Sequence, residues 1–154
     1  MFRRIPLLCV ACLAILAAGC GGGEDDGPPP LTNDVFITKA DKVCDAGLKE
    51  LQDKVRAAFG NQAPTEDEVL AFTTSDQVPL LTAQIADLRA LTPPEGDEET
   101  VNAIWDSMEE AVNTMQDDPA EVLSDPSPMA DALELARSYG FRTCGKIDEA
   151  PPAS

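Results

Sequence analysis

The chain has 154 residues, with 11 Lys and Arg against 28 Asp and Glu and no histidine, so its net charge is −17. A surface this acidic repels nucleic acid and anionic lipid headgroups within the Debye length. Without an imidazole, Ser-His and Cys-His catalysis and histidine-containing zinc sites are excluded. The length suits one domain with a hydrophobic core of its own.

The N-terminus has the pattern of a secretory signal. Arg3 and Arg4 precede an apolar run from Ile5 to Ala18, and small residues lead into Cys20. An uncleaved membrane helix is the alternative, but a run of this length rises only about 21 Å, less than the roughly 30 Å hydrocarbon core. We therefore predict that residues 1–19 are a signal peptide. Its removal leaves nine Lys and Arg against 28 acids, a net charge of −19.

The sequence Ala17-Ala18-Gly19-Cys20 resembles the lipobox of bacterial lipoproteins. In that family the cysteine sulfur is diacylglycerylated and signal peptidase II then cleaves before it. Leu usually stands three residues before the cysteine, whereas here Leu16 lies one place further back. The resemblance implies that Cys20 is the lipidated first residue of the mature protein. It also implies a lipid-anchored location on the extracytoplasmic face of the cell membrane.

Cysteine usage agrees with export. Cys9 and Cys12 leave with the signal and Cys20 carries the lipid, so the folded part keeps Cys44 and Cys144. An even number of cysteines in an oxidising compartment predicts one disulfide, between Cys44 and Cys144. The alternative is a pair of buried free thiols. A zinc site is disfavoured, because two thiolates do not complete a tetrahedral shell.

Residues 21–30, directly after Cys20, contain glycine, acids and three prolines but no apolar side chain to bury. Such a segment cannot offset the entropy of ordering, so residues 20–32 are predicted to be a flexible tether. Residues 33–145 are predicted to form the helical domain, and residues 146–154 a disordered C-terminal tail.

The first predicted helix begins with Asn33 as its N-cap and runs to Phe59, with Gly60 as its terminator. Apolar and small residues recur along it at steps of three and four, which puts them on one stripe: Phe36, Ala40, Val43, Gly47, Leu51, Val55 and Ala58. Three bases lie at seven-residue intervals on another side: Lys42, Lys49 and Arg56. They either face a partner or neutralise acids on a neighbouring helix, and we favour the second interpretation.

The second predicted helix opens with a capping box formed by Thr65 and Glu68, and its apolar pattern runs to Leu91. Pro79 lies inside this stretch. Because proline lacks the amide donor and clashes with the carbonyl four residues earlier, a kink or a break is expected between Thr74 and Val78.

The third predicted helix opens in the acidic cluster of residues 95–99, which suits the positive end of a helix dipole. Its apolar stripe comprises Val101, Ile104, Trp105, Met108, Val112 and Met115, and we assign Trp105 to the core rather than to a ligand site. The fourth begins at Ser127-Pro128 and ends at Gly140. Short connections between such helices predict an all-α antiparallel bundle of four helices, or five if Pro79 breaks the second, closed by one disulfide.

The residue inventory offers no evident enzyme. No Ser-x-x-Lys signature and no EF-hand loop is present, and we assign no catalytic, cofactor-binding or metal-binding residue. The 28 acids leave a glycosidase-type carboxylate pair open, since sequence does not give the separation of two carboxylates.

The overall layout resembles small helical lipoproteins of high-GC Gram-positive bacteria. The resemblance rests on the lipobox, the tether, a cysteine-bearing helix and the closing stretch from Tyr139 to Gly145. We expect a membrane-tethered extracytoplasmic helical module that binds an envelope partner and no nucleic acid. The alternative is a lipoprotein that binds a small ligand or cation between the bundle helices.

Overall fold

The computed structural model describes residues 31–124 and 127–146, and this part of the chain is helical without strands. Its α-helices are α1 (Asn33–Phe59), α2 (Glu66–Phe72), α3 (Val78–Arg89), α4 (Glu98–Asp117) and α5 (Ala130–Tyr139). A π-helical segment, Thr73–Gln77, joins α2 to α3, and a 3₁₀ turn, Pro119–Leu123, follows α4. The predicted signal peptide, Cys20 and nearly all of the tether lie outside the described residues.

The helices pack as the predicted bundle. α3 lies against both α1 and α4, α4 lies against α5, and a disulfide joins α1 to the chain that follows α5. Since α2, the π-helical segment and α3 form one continuous length of helix, the bundle has four helical rods. The buried core comes from all four: Phe36, Ala40, Cys44, Val78, Ile85, Leu88, Val101, Ile104, Trp105, Met108, Val112, Met115, Ala132, Ala136, Phe141 and Cys144.

Pro79 produces a π-helical turn and not a break. The amide of Val78 donates to the carbonyl of Thr73, five residues earlier, and the backbone at both ends of the segment keeps right-handed helical dihedrals. A wider turn accommodates the proline ring, which an α-helical turn would press against the carbonyl of Ser75. The irregularity therefore falls where the sequence predicts it, without ending the helix.

Two predicted helix starts have different outcomes. Thr65 and Glu68 form the predicted capping box, with each side chain bonded to the other residue's backbone amide. The prediction that Asn33 caps α1 is wrong, because Thr32 occupies that position without a side-chain cap. Asn33 lies in the first turn and donates instead to Asp97 and Tyr139.

Trp105 is a core residue, as predicted. Its side chain is 1% exposed and stacks on Phe141 with ring centroids 5.4 Å apart. Phe141 also contacts Phe36 and Tyr139, at 5.9 and 5.0 Å between centroids. This aromatic cluster joins α1, α4 and the end of α5 around one point.

Candidate binding groove beside the disulfide

The end of α5 turns the chain back toward α1. Gly140 has φ 118°, in the left-handed region that favours glycine, and its amide donates to the carbonyl of Arg137. The amide of Phe141 reaches the carbonyl of Ala136 at 3.1 Å, which completes a Schellman motif. Phe141 is thereby directed into the aromatic cluster, and the following residues lie along α1.

Asp41 of α1 holds those following residues. Its carboxylate accepts the backbone N–H groups of Arg142 at 3.0 Å, Thr143 at 2.8 Å and Cys144 at 3.2 Å. Three successive amides converging on one anion give charge-assisted bonds that are stronger than neutral ones. The sequence analysis missed this role. The available signal was that Asp41 precedes Cys44 by three residues, a spacing that puts both on neighbouring positions of one helix face.

The predicted disulfide is present. Cys44 and Cys144 are bonded, with their α-carbons 5.2 Å apart, and both are buried. The bond closes a loop with a sequence separation of 100 residues, for which the chain-entropy model gives at most about 4.7 kcal/mol. Together with Asp41 it ties the last described residues to the middle of α1.

Beyond Cys44 the apolar stripe of α1 loses its cover. α1 has 27 residues and α5 has 10, which correspond to about 41 and 15 Å of helix. As a result Leu51 is only partly buried and Val55 is 39% exposed. Of the predicted stripe, only Phe36 and Ala40 are therefore fully buried.

The uncovered part of α1 borders a cavity of 220 Å³, which we call the inner hollow. It lies where α1, α3, the start of α5 and the chain after α5 meet. Its lining consists of Cys44, Gly47, Leu48, Leu51, Gln77, Leu80, Leu81, Gln84, Met108, Ser127, Met129, Leu133, Thr143, Cys144 and Lys146. Apolar side chains with a few polar groups at the edge are typical of small-ligand sites.

A second concavity of 360 Å³, the outer groove, lies on the other side of the contact between α1 and α3. It is lined by Lys42, Val43, Ala46, Gly47, Glu50, Leu80, Ala83, Gln84 and Asp87. Gly47, Leu80 and Gln84 line both concavities. A Cβ on Gly47 would collide with the amide end of Gln84, so the missing side chain is what lets Gln84 lie between the two spaces.

The two concavities differ in charge. Of the described residues, Lys42, Glu50 and Asp87 line the outer groove, whereas Lys146 and no acid line the inner hollow. The ten residues from Arg137 to Lys146 carry three bases and no acid, in a chain with 28 acids. The edge of the inner hollow is therefore a locally basic place on an acidic protein.

The basic stripe of α1 does not neutralise a neighbouring helix. Within residues 31–124 and 127–146, Lys42 and Lys49 form no ion pair, and Arg56 pairs with Asp53 of its own helix at 3.3 Å. The cross-helix pair comes from elsewhere on α1, where Lys54 Nζ lies 3.0 Å from Asp76. The structure thus does not show the pairing that the sequence analysis favoured for this stripe.

A hydrogen-bonded group joins three helix ends. The Tyr139 hydroxyl donates to Asp97 Oδ2 at 2.7 Å, and Asn33 Nδ2 reaches both of these side chains. Burial, and then the Asp97 carboxylate, raises the pKa of Tyr139 above its ordinary range. Tyr139 therefore stays a neutral hydrogen-bond donor near neutral pH and is unsuited to act as a general base.

The described part of the chain has neither a metal-binding cluster nor a membrane-spanning helix. Among residues 31–124 and 127–146, no group of three or more Cys, Asp or Glu is placed to hold a metal ion. No helix in these residues is long and apolar enough to span a membrane. Comparison with protein-family models, with curated proteins and with solved structures found no match to this chain.

Proposed function

We propose that this protein is a membrane-tethered, extracytoplasmic binding module without catalytic activity. The observation that carries the proposal is the partly covered apolar face of α1, where Leu48 and Leu51 border the inner hollow beside the disulfide and Val55, further along the helix, is 39% exposed. Partly exposed apolar side chains grouped at a concavity mark interaction sites more often than isolated ones do.

The neighbouring structure supports a preformed site. Asp41, the disulfide and the aromatic cluster hold α1 and the chain after α5 together from three directions. Binding then requires little ordering of the walls, which favours affinity. The Tyr139 hydroxyl serves as a hydrogen-bond donor to Asp97 and is not placed for proton transfer to a ligand in the inner hollow, which it does not line.

The tether and anchor are proposed from the sequence. A diacylglyceryl group on Cys20 adds two chains, and two chains give stable membrane association where a single myristoyl chain gives only marginal binding. A disulfide between Cys44 and Cys144 is consistent with an oxidising compartment outside the cytoplasm.

Anchoring is tested by fractionation. The wild-type protein is expected with membranes, and Cys20→Ser is expected in the soluble extracytoplasmic fraction. Cys12→Ser is the matched control, because it changes a cysteine of the signal that is not the lipid acceptor, and it should stay with membranes. Detection by intact mass of an unmodified Cys20 in the wild-type protein would contradict the proposal.

Binding is tested by site-specific photo-crosslinking in native membranes. A photoreactive phenylalanine analogue at Leu51 is expected to give a discrete adduct, since Leu51 borders the inner hollow. The same analogue at Ala103, an exposed position of α4, is the control and should give none. Equal adducts at both positions, or none at Leu51, would count against this face as the binding site.

A further inference from the structure

We propose that the inner hollow binds a single-chain carboxylate, with the apolar chain inside it and the carboxylate at Lys146. This inference rests on the proposed function and names its ligand. The proposed ligand is an anionic amphiphile and not a cation, which the sequence analysis left open as a ligand of the bundle.

The lining fits a flexible apolar chain. Leu51, Leu81 and Leu133 come from three different helices, and Met108 and Met129 add side chains that adapt easily to a ligand's shape. The 220 Å³ volume lies below the range of about 300–1,000 Å³ that is usual for drug-sized ligands, so a narrow chain suits the space better than a ring system.

The charge at the edge selects the head group. Among residues 31–124 and 127–146, Lys146 is exposed at the hollow and has no ion pair, and no acid lines the space. The neighbouring Arg142 is likewise without an ion pair in that part of the chain. The carboxylate of Asp41, which is bonded to residues 142–144, already accepts three backbone N–H groups. A cationic head would meet Lys146 and be repelled, whereas a carboxylate would be attracted.

Polar groups inside the hollow give a second point of recognition. The Gln77 oxygen accepts from the Thr73 hydroxyl at 3.3 Å, which leaves its amide nitrogen without a partner among the described residues. The amide of Gln84 has no hydrogen bond among the described residues either, and its side chain lies over Gly47 as a wall common to the inner hollow and the outer groove. Gln84 therefore limits the length of the chain that fits.

The test titrates decanoate into the full chain carrying Cys20→Ser, purified without detergent. Calorimetry gives the stoichiometry, and the emission of Trp105, the single tryptophan, reports on the core beside Met108. We expect one decanoate per chain and weaker binding of decyltrimethylammonium. Lys146→Met should weaken decanoate binding about two- to fivefold, as expected for loss of a partly exposed ion pair. Lys39→Met is the matched control and should leave it unchanged.

Filling the hollow provides a second arm. Leu133→Phe should abolish decanoate binding without loss of the folded state, whereas Leu135→Phe, two residues further along α5 and 46% exposed, should leave it intact. Gln84→Ala should shift the preference toward chains longer than decanoate, because it removes the wall shared with the outer groove.

Four outcomes would overturn the inference. The first is that decyltrimethylammonium binds as tightly as decanoate, and the second is that Leu133→Phe leaves decanoate binding unchanged. The third is that decanoate binds only after residues 147–154 are removed. The fourth is that a second copy of the chain fills the hollow, which sedimentation would show as a dimer that forms without ligand. Absence of decanoate binding together with a discrete Leu51 adduct would overturn this inference and leave the proposed function standing. If neither decanoate binding nor a Leu51 adduct is found, this inference and the proposed function are both wrong.

Discussion

The two halves of α1 carry the same sequence periodicity but have different surroundings. In the first half, Phe36 and Ala40 are fully buried against the aromatic cluster and the chain after α5. We call this region, together with the aromatic cluster and the chain after α5, the closed end. In the second half, residues 48–59, Leu51 is partly buried and Val55 is 39% exposed. We call this region, together with α2 and the π-helical segment, the open half.

The difference shows that an apolar stripe fixes which face of a helix points inward, while the length of the facing elements fixes how much of it is covered. α5 and the turn after it cover the closed end, whereas the second half of α1 contacts the neighbouring rod through Lys54 with Asp76 and Phe59 with Phe72, which leaves Val55 exposed. Stability should therefore be concentrated at the closed end and binding at the open half, because binding surfaces need apolar area that folding has not used.

The largest expected effect is at the closed end. Trp105→Ala should lower the free energy of unfolding by about 3–5 kcal/mol, since it removes buried area and leaves a cavity beside Phe141. Val55→Ala in the open half should change it by no more than about 0.5 kcal/mol. Urea denaturation of both variants measures the difference. Similar losses at the two positions would mean that the two halves are equally covered in solution.

The Asp41 carboxylate tests how much polar contacts stabilise the closed end. Asp41→Ala should cost about 1.5–3 kcal/mol, because backbone amides of residues 142–144 lose a charged acceptor. Asp41→Asn keeps one oxygen and should lose less. Asp45→Ala, one turn along α1 at an exposed position, should be within about 0.5 kcal/mol of wild type. An Asp41→Ala variant as stable as Asp45→Ala would show that the three bonds add nothing to stability.

Gly145 and Gly47 differ in what an added Cβ would meet, so alanine substitutions there test how tightly the backbone is packed at each position. A Cβ on Gly145 would lie 2.8 Å from the Arg137 Cα and 2.9 Å from its nitrogen, so Gly145→Ala must shift backbone and should cost about 1–3 kcal/mol. A Cβ on Gly47 meets only the movable end of Gln84, and alanine gains about 1 kcal/mol of helix propensity over glycine. Gly47→Ala should thus be neutral or stabilising in thermal unfolding. A large loss there would show that Gln84 is fixed in place.

Most of the fold follows from local sequence signals. The stripe containing Trp105, the capping box at Thr65 and the glycine at position 140 each depend on residues within a few turns of one another, and each is found as predicted. The disulfide follows from cysteine number alone, because two remain to be paired. Pro79 predicts the position of an irregularity but not its kind, since a π-turn and a break differ in how the neighbouring helices hold the chain.

The candidate site was much less predictable. The inner hollow depends on where α5 starts relative to α1 and on the packing of Gln84 over Gly47, which are properties of the assembled bundle. The role of Asp41 depends on amides a hundred residues away along the chain. Asn33 illustrates the same limit, because a nearby carboxylate and hydroxyl use its side chain where local rules assign a cap.

The smallest expected effect is a pH-dependent loosening of the open half. The backbone amide of Thr65, and then its hydroxyl, lowers the pKa of Glu68 below its ordinary value, and Ser75 and then Lys54 lower the pKa of Asp76. A carboxyl group with a lower pKa in the folded state stabilises the fold fully above its unfolded pKa, about 4 for both residue types. That contribution is lost as the pH falls through the folded pKa.

Acid should therefore loosen α2 before the core around Trp105 and Phe141, whose contacts in the described part of the chain are between aromatic rings and beside the disulfide and involve no carboxylate. Hydrogen exchange between pH 5 and pH 2.5, corrected for the intrinsic pH dependence, should show the amide of Val69 losing protection before that of Trp105, which stacks on Phe141. Thr65→Val should raise the pKa of Glu68 only part of the way to its ordinary value, because the backbone amide of residue 65 still donates to it. The chemical shift of the Glu68 carboxyl carbon, followed against pH, measures this pKa. Thr82→Val, whose hydroxyl bonds to Val78 within α3, is the control and should not move it. If Val69 and Trp105 lose protection together, the two regions unfold as one unit at acid pH, and the exposed side chains of the open half reflect the shape of the bundle and not weaker local stability.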